Sequence, residues 1–313
     1  MLTNSSIIII RAILITCSCC WGCTYFGTNI LKEYSLGLFF LVPFTLGAMS
    51  TLLIASKQPL TKIKLISYAL LTLLVYCIGL LLFAMEGIIC LIMALPLGIV
   101  LTYIGCVVGF YLSNKKWASN TTAAIILALA LPSIMSFEKK HTQNETVRSV
   151  TTAVDIAATP EIVWQNVVTF PQLKNPTEFI FKTGIAYPVN ATIQGNGVGA
   201  IRKCNFTTGC FVEPITVWDR PNKLAFTVTD QPDAMKELSV YEIKPTHLNG
   251  YWVSQKGQFK LTKLKNGHTL LEGTTWYINK INPDFYWTLW SDYIIHKIHL
   301  RVLAHIKDQS EIH

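Results

Sequence analysis

Five predominantly apolar stretches of bilayer length fill the first 140 residues. A chain that carries them has few options other than to cross a bilayer. They run near 7–29, 36–56, 65–85, 87–112 and 120–137. Pro43 and Pro96 fall inside two of them, which membrane helices tolerate when neighbours satisfy the freed carbonyl. The fifth is short and interrupted by Pro132. The first has no small-residue cleavage site and is followed by further spans, so it reads as a helix and not as a signal peptide.

Charge divides the chain in the same place. The whole sequence is 51% hydrophobic and 14% charged, with a formal net charge of +8. Residues 1–143 hold nine Lys or Arg against three acids, Glu33, Glu86 and Glu138; residues 144–313 hold seventeen against fifteen. Most of the excess positive charge therefore lies in loops between apolar runs. That distribution argues against a nucleic-acid partner, which needs a concentrated basic face. The loops carrying Lys57, Lys62 and Lys64, and Lys115 and Lys116, have no acid. Such loops stay cytoplasmic. With five spans the N-terminus lies inside and the C-terminal half outside, although Lys139 and Lys140 after the fifth span oppose this mildly. Seven of the nine cysteines belong to the apolar half. The cluster Cys17, Cys19, Cys20 and Cys23 sits in a hydrophobic run without His or acids nearby, as small packing residues do.

After a polar linker, Glu138 to Glu145, the pattern changes to strands. Val147–Ile156 partly alternates. Thr159-Pro160-Glu161 opens a short helix, 162–168, with a capping hydroxyl and Pro in the first turn. Strands follow near 185–194, 198–207, 211–218 and 223–229, with turns at Gly195-Asn196-Gly197 and Asp219-Arg220-Pro221-Asn222. Two longer strands, 251–264 and 269–278, flank Asn266-Gly267, a strong hairpin signal. One long amphipathic helix, 283–307, closes the chain, with Leu289, Tyr293, His296, Leu300, Leu303 and Ala304 on one face.

The segment Val154-Asp155-Ile156-Ala157-Ala158-Thr159-Pro160-Glu161-Ile162-Val163-Trp164, followed by antiparallel strands and a long final helix, resembles the START-like superfamily. That superfamily includes the polyketide cyclase/dehydrase and lipid-transport group. The stretches Phe211–Ile215, Glu272–Tyr277 and Trp290–Asp292 resemble a membrane-attached branch of it. The apolar runs give a multi-span helical membrane domain, 1–140, and the resemblance implies an α+β helix-grip domain, 141–313, after it. In that fold an antiparallel sheet wraps the long C-terminal helix and leaves a cavity for a hydrophobic ligand. No catalytic residue carries over from it.

Candidate cavity residues are Arg202, Glu213, Trp276, Trp290, Tyr293, His296 and Leu300. Phe211, Glu213 and Ile215 share a strand face, and Arg202 is placed to meet Glu213 or a ligand carboxylate. Glu272, Thr274 and Trp276 alternate on a face that is either inner or solvent-exposed. Asp292 and His296 stand four apart, a carboxylate–imidazole pair that would orient a general base, or simply hydrogen-bonded packing. Cys204 and Cys210 would bridge only in an oxidising compartment. His296, His299, His305 and His247 form no His-Glu-x-x-His pattern, and Gly195–Gly199 lies between strands, so neither a metal nor a dinucleotide cofactor is expected.

The favoured reading is a multi-pass cell-membrane protein whose non-cytoplasmic domain binds or transfers a lipid or isoprenoid, with membrane lipids and that small molecule as its partners. The alternatives are a cyclase, dehydratase or hydrolase using Asp292, His296 or Glu213, and a non-catalytic envelope sensor or assembly protein. A reporter that works only outside the cytoplasm, fused after His313, is expected to be active. Activity from a cytoplasm-only reporter would instead remove the fifth span or reverse the bundle.

Overall fold

The computed structural model describes residues 4–115, 119–139, 146–236 and 250–312. Lys116, Lys140 and His247 lie outside them. The chain divides into two compact units, the first made of the described residues up to 139 and the second of those from 146 onward.

The first unit holds five helices long and apolar enough to cross a membrane. Helix α1, Asn4–Tyr25, runs on through a π-helical turn, Phe26–Leu31; a second π-helical turn, Gly37–Leu41, leads into α2, Val42–Ala55. Helices α3, Lys62–Leu82, α4, Ile88–Asn114, and α5, Asn120–Lys139, complete the unit. Helices α2 and α4 meet backbone to backbone. A Cβ on Gly47 would sit 2.0 Å from the Thr102 carbonyl oxygen, and one on Gly105 would sit 2.0 Å from that of Phe44. Gly105 and Gly109 form the small-xxx-small pattern that lets helix backbones meet without a hydrophobic driving force. Pro43 opens α2, and Thr102 Oγ1 donates to its carbonyl at 3.1 Å. At the start of the second apolar helix, the Glu138 carboxylate accepts from the N–H groups of Leu36 and Gly37 at 3.1 and 2.8 Å. Helix starts leave such donors without intrahelical partners.

The second unit is built on seven antiparallel strands: β1, Val147–Ile156; β2, Pro188–Gln194; β3, Ile201–Phe206; β4, Gly209–Asp219; β5, Lys223–Thr227; β6, Trp252–Lys263; and β7, Thr269–Asn279. Their order across the sheet is β1-β7-β6-β5-β4-β3-β2. Between β1 and β2 come α6, Pro160–Val168, and the single turn α7, Phe179–Lys182; α8, Asp284–Glu311, follows β7. Register shifts interrupt β2, β4 and β6, and such irregularities bend a sheet. One face buries Ile156, Ala191, Cys204, Ile215, Leu224, Leu261 and Leu271 against Val163, Trp164 and Val167 of α6 and Val302, Leu303 and Ile306 of α8. This is the helix-grip arrangement. Pro160 occupies the first turn of α6 as expected, but the Thr159 hydroxyl makes no cap bond. Its carbonyl receives the N–H groups of Ile162 and Val163 instead.

The far end of α8 is pinned. Lys307 Nζ donates to the Asp155 carbonyl and Ala157 N–H donates to Glu311, both at 2.7 Å. Asn166 of α6 bonds Ser310 at 2.9 Å. These anchors fix the rotation of the helix about its axis. The expected inward face holds at Leu303, which is fully buried, and His296 bonds Thr152 of β1, but three of its positions turn outward. Leu289 and Tyr293 are 67% and 45% exposed, and Ala304 is exposed. The buried positions are Trp287, Thr288, Ser291, Ile294, Ile295, Val302, Leu303, Ile306 and Ser310. Two apolar stripes compete on this helix. The buried one carries the β-branched Ile294, Ile295, Val302 and Ile306.

Candidate ligand cavity

Between the sheet and α8 lies a cavity of about 130 Å³. Its walls are mostly apolar: Phe206, Phe211, Phe226 and Phe259 from the strands, and Ile295, Ile298, Val302 and Leu303 from α8. Arg202, Glu213, His299 and Thr275 supply polar groups. Gly257 also lines it. A Cβ there would fall 2.6 Å from the Phe226 ring, which faces it across the β5–β6 pair. The missing side chain is what gives that ring its place.

Arg202 and Glu213 are direct cross-strand partners on β3 and β4. Strand alternation puts both on the inner face, where they are only 2% and 6% exposed. The Arg202 guanidinium is ion-paired and hydrogen-bonded to the Glu213 carboxylate. Its Nε donates to the Val168 carbonyl at 3.2 Å. The rings of Phe170, Phe226 and Phe259 stand around it with centroids 5.5–5.6 Å from Cζ. Desolvated contacts of this kind contribute up to about 2 kcal/mol each. Burial pushes the Glu213 carboxyl up, and the neighbouring Arg202 charge pulls it part of the way back. Burial works against the charge on Arg202 as well, but Glu213 and Cys204 outweigh it, so the guanidinium stays charged. The Cys204 thiol, buried beside Glu213, is pushed up to about 12 and is inert as a nucleophile at neutral pH.

A second polar group joins α8 to β1 and β7. His296 and His299 share the Thr152 hydroxyl at 2.8 and 3.2 Å, both through Nδ1. His299 Nε2 meets the Thr275 hydroxyl at 2.8 Å. Desolvation, helped by His296, lowers the His299 pKa to about 4. Its imidazole is neutral at pH 7.

Of the residues expected from sequence, Arg202 and Glu213 line the cavity and meet one another, whereas Trp276, Trp290, Tyr293, His296 and Leu300 do not line it. Trp276 follows from strand parity. Thr275 reaches α8 and Gly273 faces Leu303, so Trp276 points to the opposite face, beneath Lys256 Nζ at 4.8 Å. Glu272 shares that outer face and pairs with Lys260 at 3.3 Å. Tyr293 lies under Lys297 Nζ at 5.6 Å, outside the grip. Trp290 and Leu300 are half-buried outside the cavity lining. Asp292 does not orient His296. It accepts from the Tyr277 hydroxyl at 2.5 Å and lies 3.9 Å from Arg148. Cys204 and Cys210 are unbridged. Their cross-strand partners are Phe211 and Asn205, so the two thiols point to opposite faces. Among the described residues no group of three or more His, Cys, Asp or Glu is placed to hold a metal.

Sequence reasoning missed the aromatic enclosure of Arg202 and the α8 residues that line the cavity. The usable signal was Gly257 opposite Phe226, a gap that an aromatic ring fills across a strand pair.

No family model matches the chain, and no curated protein does. Solved structures do align with it. An aromatase/cyclase from Streptomyces sp. R1128 is 12% identical over 53% of this chain and 94% of its own, with a TM-score of 0.35. Norcoclaurine synthase from Thalictrum flavum is 12% identical over 54% of this chain and 94% of its own, with a TM-score of 0.33. The Aha1 dimer from Colwellia psychrerythraea is 18% identical over 53% of this chain and 97% of its own, with a TM-score of 0.30. At these identities and scores nothing about chemistry transfers.

His299 gives the site a pH signature. Its folded pKa, about 4, lies below the ordinary value of 6.5. Between those values the unfolded chain binds more protons, so stability falls as pH drops from about 6.5 toward 4 and levels off below that. The full loss is about 3 kcal/mol. Glu213 has the opposite sign, because its raised pKa means the folded state gains as it protonates. Comparing the parent with His299→Gln isolates the histidine. Hydrogen exchange of the β1 and β7 amides in the full chain at pH 7 and pH 4.5 is expected to show a larger loss of protection in the parent. Equal losses in both would mean that His299 is not held neutral by burial.

Proposed function

We propose that this chain is a membrane-anchored START-like protein whose C-terminal domain binds a small hydrophobic molecule between the sheet and α8. The five apolar helices cross the bilayer and hold the domain on its non-cytoplasmic side, next to a reservoir of apolar molecules. The observation that carries the reading is the cavity itself, about 130 Å³ with predominantly apolar walls. An apolar cavity of about 150 Å³ takes up benzene. A volume of this size accepts one ring or a short branched chain, such as an isoprene unit, and not a whole two-chain lipid. The longer lipid or isoprenoid expected from sequence fits only by its end.

The arrangement also favours one enzymatic reading. His299 is a neutral imidazole in the cavity wall and so has the right form for a general base at pH 7. Both of its nitrogens are engaged by threonine hydroxyls, so it would first have to release one. Binding demands no such step and is the simpler function.

Ile298→Trp tests the binding reading by filling the cavity from the helix side. Overpacking a full core costs about 1–3 kcal/mol, and an empty cavity absorbs the ring for less. Purified full-length protein is expected to carry a co-purifying apolar molecule, detected by mass spectrometry of an organic extract. Ile298→Trp is expected to lose it with little change in melting temperature. Severe destabilisation, with no molecule bound to the parent, would mean a packed core and would favour a sensor or assembly role.

A further inference from the structure

The cavity wall holds one hydrogen-bond donor that the fold leaves unanswered. Trp252 opens β6 and pairs with Asn279 at the end of β7; Ser254, two residues on, pairs with Tyr277. Tyr277 is fully buried and its hydroxyl reaches Asp292 of α8. Strand alternation therefore puts Trp252 on the same inner face. Its ring stands edge-on to Tyr277, with centroids 6.5 Å apart, and the residue lines the cavity. An indole N–H can only donate. Trp252 Nε1 is buried without a hydrogen-bond partner, which holds for no other side-chain nitrogen or oxygen of the described residues lining the cavity. Buried donors in native proteins nearly always have a partner, so one that lacks it inside a cavity points to what the cavity holds.

The neighbouring polar groups have partners of their own. Gln231 Nε2 donates to the Trp252 carbonyl and Ser254 N–H donates to Gln231 Oε1, both at 2.8 Å. That bracket fixes the backbone on which the indole stands. His299 meets threonine hydroxyls through both ring nitrogens. Arg202 is committed to Glu213 and to the Val168 carbonyl. Asp233 and Lys256 are exposed, and Lys256 Nζ lies over Trp276 on the outer face. The charges inside the cavity thus cancel, one guanidinium against one carboxylate, beside a neutral imidazole. Among the described residues of the wall, a ligand carboxylate would meet no uncommitted cation and a ligand ammonium no uncommitted anion. Either would lose its hydration without compensation.

We infer that the cavity takes an uncharged molecule with an apolar body and an acceptor oxygen, a carbonyl above all, and that Trp252 Nε1 donates to that oxygen. The inference rests on the reading of the cavity as a binding site and narrows it. A pure hydrocarbon would fill the space and leave the indole N–H unpaired. A free acid or an amine would bring in a charge that nothing there balances. A ketone, aldehyde or ester does neither, and its body still rests on the phenylalanine rings and the α8 aliphatics that make up most of the wall.

Three single-ring probes test this: cyclohexanone, methylenecyclohexane, in which a CH2 group replaces the oxygen, and cyclohexanecarboxylate. The full chain in detergent micelles, washed free of co-purified molecules, is titrated with each by calorimetry. Every probe is compared between the parent and Trp252→Phe, so that partition into the micelle cancels. The substitution is expected to weaken cyclohexanone about tenfold, as loss of a hydrogen bond from an otherwise unpaired donor does. Methylenecyclohexane is expected to change by less than about twofold. Because phenylalanine is also the smaller ring, benzothienylalanine at position 252, with sulfur in place of the N–H, repeats the comparison at constant shape. Equal losses for both probes, or no loss for cyclohexanone with either replacement, would overturn the inference. So would tighter binding of cyclohexanecarboxylate than of cyclohexanone by the parent. Ile298→Trp separates this result from the reading beneath it. Probes that bind the parent and are excluded by Ile298→Trp, but ignore position 252, remove the acceptor oxygen alone. A parent that binds none of the three removes the binding reading with it.

Discussion

The constraint on which the second unit depends is a full positive charge inside an apolar sheet. Arg202 sits 2% exposed on β3, and water is not there to hold it. Taking a guanidinium out of water costs several kcal/mol even after relaxation. The surroundings answer that cost with the Glu213 carboxylate, the Val168 carbonyl and three phenylalanine rings. Each partner comes from a different element: β4, the end of α6, the segment after it, β5 and β6. The charge therefore ties the sheet to the α6 corner and sets where the aromatic rings stand. The glycine at 257 belongs to the same requirement, because any side chain there would displace Phe226 from the guanidinium.

A buried ion pair is a poor device for stability alone. Apolar residues of similar volume usually do as well or better by about 1–4 kcal/mol. Filling the space around Arg202 and Glu213 with aliphatic side chains would satisfy the sheet equally. What aliphatic residues would not supply is a fixed dipole at the edge of an apolar cavity. Ligand cavities use a few such groups to orient a molecule whose bulk is held by apolar walls. The pair is part of the fold and part of the cavity wall at once, which joins the stability of the unit to its proposed function. His299 makes a similar link from the helix side, since the same burial that keeps it neutral also places it against the cavity.

Much of this architecture was legible in the sequence because it rests on local periodicity. Apolar runs of bilayer length, the hairpin at Asn266-Gly267 and the opening of α6 at Pro160 each follow from a few adjacent residues. The meeting of Arg202 and Glu213 was also legible, since two charges of opposite sign on neighbouring inner-face strand positions have little else to pair with. The errors came where two local signals were of similar strength. On α8 the stripe Leu289, Tyr293, His296 and Leu300 looked as apolar as the stripe Ile294, Ile295, Ile298 and Val302. Only packing along the whole sheet, and the anchors at Lys307 and Glu311, decide between them. On β7 the aromatic Trp276 drew the reading to the wrong parity, while the residues facing the helix are the small Gly273 and Thr275. Small residues opposite a helix signal space, and space is what a periodicity argument does not register.

The most direct measurement is the amount of co-purifying molecule bound to a variant in which the ion pair is replaced as a unit, Arg202→Met with Glu213→Leu, in the full chain. Either substitution alone would leave a buried charge unpaired and cost about 3–5 kcal/mol. The double replacement is expected to return to within about 1 kcal/mol of the parent while losing at least nine-tenths of the bound molecule. A double variant that is equally stable and still carries the molecule at the parental level would show that the pair has no part in binding, and would contradict the account.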